Sequence, residues 1–86
     1  MRIASATNMF NDMVSMTKGS FHIHMIIHEM KLEVYNIYKD REKLDREKFI
    51  TICDSHISNY ISKFGYLLEP NEKTIIRDLR LFLLGV

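Results

Sequence analysis

Eighty-six residues, 47% of them hydrophobic, with a formal charge of +1, describe one domain rich enough in apolar side chains to fold. The composition excludes a disordered tail, and the near-neutral charge argues against a general nucleic-acid binder, which needs surplus positive charge to neutralise phosphates. A chain this short buries only about 60% of the surface its unfolded form exposes. A single cysteine rules out an internal disulfide, so stability is expected from dense helix packing or from a second copy of the chain.

Residues 1–18 are interrupted by Asn8, Asn11 and Asp12 and do not resemble an export signal. No window reaches the roughly 18–20 apolar residues a bilayer span requires. With a lone thiol, that predicts a reducing, cytoplasmic setting. The isoleucine, asparagine, lysine and tyrosine usage resembles chains from AT-rich genomes, as in low-GC bacteria, their phages and some viruses.

The first predicted element covers residues 7–18, where Met9, Phe10, Met13 and Met16 recur at helical steps of three and four. Gly19 suits the position just past a helix C-terminus. Between Gly19 and Gly65 the chain holds neither glycine nor proline. An all-β chain would need several turns in that distance, so helices are expected.

The second element covers residues 20–38. Ile23, Ile27, Met30, Val34 and Ile37 form its seam, and Met25, His28, Leu32 and Tyr35 a flanking stripe. An apolar face this wide implies two neighbours, as in a bundle. A polar line of His22, Glu29, Glu33, Asn36 and Asp40 marks the other side. Phe21, Ile23 and Met25 alternate with His22 and His24 as a strand would, but the alternation fails at Ile26 and Ile27.

A charged run at residues 39–43 reads as a solvated turn. Asp45 is the expected N-cap of a third element over residues 46–64, with Leu44 and Phe49 as a hydrophobic staple. Phe49, Cys53, Ile57, Tyr60 and Phe64 make its inner stripe, and Gly65 is expected to stop it. Residues 66–69 are unusually apolar for a connector and are expected to pack down. Pro70 and Asn71 open a fourth element running to about Leu84, with Ile75, Ile76, Leu79, Phe82 and Leu83 facing inward.

Among side chains with chemistry, His24 and His28 share one helix face, and Cys53 and His56 another. Two such pairs offer a candidate tetrahedral metal site, although a buried cysteine and a hydrogen-bonded histidine are the commoner states of such residues. No catalytic constellation emerges. The three glycines are isolated, so no phosphate-cradling loop exists, and no serine sits in a Gly-x-Ser-x-Gly turn. Lys73, Arg77 and Arg80 step by four and three into a basic stripe, a candidate DNA-reading face if the last two helices form a helix-turn-helix. Glu72 and Asp78 dilute it, and the connector is long for that motif.

Residues 1–86 therefore read as a single all-α bundle of three to four helices, expected to be dimeric and to need no cofactor. Its expected role is a non-enzymatic, protein-binding regulator or inhibitor. The interface is expected to include Met9, Met13, Met16, Tyr66, Leu67, Leu68, Leu81 and Phe82, because methionine repacks readily against partners and the apolar content exceeds what a small monomer hides. The alternatives are a small DNA-binding regulator and a metal-stabilised bundle.

Overall fold

The structure, a computed structural model, describes residues 1–39 and 43–85. Among the described residues four α-helices form: α1 (Ile3–Met16), α2 (Phe21–Tyr38), α3 (Arg46–Phe64) and α4 (Pro70–Leu84). Among the described residues there is no strand. Asp40, Arg41 and Glu42 of the expected charged turn lie outside the described residues.

α1 starts earlier than its methionine spacing predicts. Arg2 pairs with Lys43 in an antiparallel bridge, and the Leu44 amide donates to the Met1 carbonyl at 2.6 Å. That pairing holds the chain extended just before Ile3. From there the inner face runs through Ala6, Phe10 and Met13, all fully buried. Alanine carries little weight in an apolar pattern, so this first turn was not visible in the sequence.

α1 ends at Thr17, and Gly19 takes φ +97°, a left-handed conformation that costs any L side chain roughly 1–2 kcal/mol. The turn delivers Ser20 to the N-cap of α2. Its Oγ accepts the Ile23 amide at 3.2 Å and donates to the Glu72 carboxylate of α4 at 2.7 Å. Asn71 Nδ2 also donates to the Gly19 carbonyl at 3.4 Å. The α1–α2 turn and the start of α4 are thus tied together at one end of the bundle.

Asp45 caps α3 as expected, accepting the Glu47 and Lys48 amides at 3.0 and 3.4 Å. Leu44 and Phe49 are both buried, as the staple requires. α3 stops at Gly65 as expected, though with φ −56° rather than a left-handed turn, and the chain continues as a 3-10 turn over Gly65–Leu67 until Leu68 becomes extended. Glu72 closes the start of α4 by accepting the Glu69 amide at 3.2 Å, with Pro70 in the first turn.

α2 packs most extensively on α3, α1 packs on α2 and α4, and α3 meets α4, which closes a ring of four helices. α1 and α3 lie across the ring from each other. Phe10 and Phe49 fill the space between them, with ring centroids 5.4 Å apart and no exposure. Met13, Ile27, Met30, Val34, Cys53 and Leu79 complete the fully buried layer.

Ser20 both caps α2 and clamps α4, so Ser20→Ala is expected to cost about 1–2 kcal/mol in urea unfolding. Its hydrogen bond is also the main reason the Glu72 carboxyl lies below its ordinary value of 4.5, helped by the Glu69 amide and nearby His22 and opposed by burial. A carboxyl depressed in the folded state stabilises above its unfolded value, and that contribution is lost as pH falls. Stability should therefore decline below about pH 4.5, and decline less in Ser20→Ala; identical acid slopes in the two proteins would contradict this account.

Candidate functional site

The distribution of apolar side chains around α2 differs from the expected seam. Ile23, Ile27, Met30 and Val34 are buried, but Ile37 is largely exposed, and Ile26 and Tyr38 complete the inner face. Of the flanking stripe, only Tyr35 packs down, its ring edge-on to Phe10. At about 100° per residue, Phe21, Met25, His28 and Leu32 fall within about 60° of one another on the side opposite Met30. Phe21 is 71% exposed and Leu32 64%. A surface helix ordinarily carries charge there.

This outer stripe runs toward the end of the bundle where α3 passes into its 3-10 turn. Two adjoining clefts, of about 500 and 430 Å³, share His22, Tyr60 and Phe64. Met25 and Ile26 line the first and Leu67 the second, while Glu29 and Lys63 border the first and Glu69 and Glu72 the second. Tyr60 and Phe64 stack at a tilt with centroids 5.4 Å apart. The Tyr60 phenol is pushed up from its ordinary range by burial, and then by the charge of Glu72.

The expected interface residues divide. Tyr66, Leu67 and Leu81 are exposed, Tyr66 at 83%. Met13 is fully buried and cannot touch a partner. Met9, Met16, Leu68 and Phe82 are partly buried against the core. The connector at residues 66–69 does not pack down as a unit, since only Leu68 reaches the core. Phe21, Met25, Leu32 and Phe64 are exposed apolar positions outside the expected interface. The signal for Phe21, Met25 and Leu32 was the step of four and seven, hidden because α2 is apolar on both sides.

The metal-ligand candidates do not assemble as a tetrad. Among the described residues, no three His, Cys, Asp or Glu side chains gather into a metal-holding group. Cys53 is buried in the α3 core. Its thiol is pushed up to about 12, first by burial and then by the charges of Glu33 and Asp54. A thiol held protonated is neither a nucleophile nor a ready metal ligand. His56 turns toward α2, where Nε2 lies 3.3 Å from Glu33 Oε1. His24 and His28 do meet, with their Nε2 atoms 3.1 Å apart.

The basic stripe is compensated locally. Arg77 pairs with neighbouring Asp78 at 3.4 Å. Arg80 reaches α3, donating to Ser58 Oγ at 3.2 Å and lying 3.7 Å from Asp54. Lys73 remains exposed on the outer face of α4. Among the described residues, no helix is long and apolar enough to cross a membrane. A scan against protein-family models and comparisons with curated proteins and solved structures each find no match to this chain.

Two measurements check the placement of Cys53. Its thiol should resist an aromatic disulfide reagent in the folded protein and react fully once urea unfolds it. A thiol raised on folding stabilises below its unfolded value of 9.0 and loses that contribution as pH climbs toward 12. Stability should therefore fall through that alkaline window, and fall less in Cys53→Ala. Rapid labelling of the native protein would contradict both.

Proposed function

We propose that this chain is a protein-binding regulator or inhibitor with no chemistry of its own, acting as a homodimer through the outer face of α2 and the adjoining α3 turn. The observation that carries this reading is the alignment of Phe21, Met25 and Leu32 on the side of α2 facing away from the core. Single apolar residues on a surface need no explanation, but an aligned row that runs through Met25 into the cleft lined by Ile26, Tyr60 and Phe64 marks an interaction face. Phe64 and Leu67 extend the row across the α2–α3 boundary.

A second copy suits such a face because a helix stripe is self-complementary about a two-fold axis. The steps of four, three and four through Phe21, Met25, His28 and Leu32 are those of a helix-pairing seam. Supporting the absence of chemistry, the thiol is buried and protonated and His56 is engaged by Glu33. The DNA-binding alternative draws little from Arg80, which is directed at α3 rather than outward.

Light scattering at micromolar concentration tests the reading. The expected mass is twice the chain mass of 10.2 kDa. Replacing Phe21, Met25 and Leu32 together with serine should give a monomer with the same helical circular dichroism, since none of the three contributes to the core. A parent chain that is monomeric throughout, or a triple variant that still dimerises, would count against it.

A further inference from the structure

His24 and His28 are brought together by more than helical spacing. His24 Nδ1 lies 3.2 Å from Thr17 Oγ1, and Thr17 is almost completely buried at the end of α1. The Thr17 hydroxyl has one proton, which it donates to the Val14 carbonyl at 2.8 Å. Its oxygen therefore accepts from His24, which places the imidazole proton on Nδ1 and leaves Nε2 as an acceptor. His28 Nε2 lies 3.1 Å from that nitrogen and donates to it, the two rings standing at 75° with centroids 4.7 Å apart. An ion between the nitrogens would replace that shared proton, His28 carrying its own on Nδ1.

We infer that His24 and His28 form a two-imidazole chelate for a borderline divalent transition ion, of the zinc, nickel or copper class. Two nitrogens bound to zinc at about 2.0–2.1 Å, at a tetrahedral angle, lie about 3.3–3.4 Å apart. The observed separation of 3.1 Å corresponds to a bite of about 100° at that bond length. Imidazole nitrogen suits this class of ion, whereas magnesium and calcium prefer oxygen. Ligating histidines donate their other ring N–H to an acceptor that sets tautomer and ring orientation, and the Thr17 oxygen, itself anchored on the Val14 carbonyl, stands in that position for His24.

The remaining coordination positions face solvent, since His28 is exposed and His24 half-buried. Water fills them in the isolated chain. The chelate shares His28 with the proposed docking seam and so rests on the same face, but the Phe21/Met25/Leu32 triple serine variant retains both imidazoles, so its zinc titration reads the chelate apart from the docking face.

Calorimetric titration of the untagged protein with zinc chloride tests the site. One ion per chain is expected. His24→Ala and His28→Ala should each lose the chelate, while His22→Ala and the Phe21/Met25/Leu32 triple serine variant should keep it. Thr17→Val is expected to weaken binding roughly 10- to 100-fold, and Thr17→Ser to restore it. Circular dichroism confirms that each variant is folded. Zinc affinity unchanged in the His24→Ala, His28→Ala double variant, or no binding by the parent chain, would overturn the inference.

Discussion

Phe10 and Phe49 belong to helices that do not adjoin, yet their rings lie 5.4 Å apart at the centre of the bundle. A chain of this length has neither a disulfide nor much surface to bury, so its core must be reached from all four helices at once. The two rings join α1 to α3, and Phe10 also meets Tyr35 of α2 edge-on. Removing either would leave a cavity, a loss of about 3–5 kcal/mol by the usual cost of deleting a buried phenylalanine. That is a large fraction of the stability small domains possess.

Closing the ring around these aromatics dictates how α2 is turned. Ile23, Ile26, Ile27, Met30, Val34 and Tyr38 are taken inward. Met25 and Leu32 are equally apolar, but they project from the opposite side. The bundle thus satisfies its core and still has large hydrophobic side chains outside it. The tie at Ser20 and Glu72 fixes the same end of the molecule at which Phe21, Met25, Phe64 and Leu67 gather, so the exposed surface stands on a braced platform.

Much of this was legible in the sequence, and the failures have physical causes. Asp45, Gly19 and Pro70 act through local backbone chemistry, and they bounded α3, α1 and α4 as read. The seam of α2 was read as it lies at Ile23, Ile27, Met30 and Val34, but the fate of the flanking arc through Met25 and Leu32 was not legible, because periodicity locates apolar arcs without showing which of them a neighbour covers. That choice belongs to the neighbouring helices. The same limit applied to Met13, which lies in the arc that faces Phe10's side of the core rather than solvent. Spacing did identify His24 and His28 as neighbours. The apolar stripe of α3 also placed Cys53 inside, where it lies. Spacing could not show that His56 turns to Glu33, since that depends on how α3 sits against α2.

The central claim is that the outer face of α2, and not the methionine-rich core, meets the partner chain. Methyl resonances of the methionines across a dilution series test it most directly, because Met25 lies on that face while Met13 and Met30 are fully buried. The account predicts that the Met25 signal shifts with concentration while those of Met13 and Met30 stay fixed. A Met25 signal that never moves, or core methyls that move with it, would contradict the account.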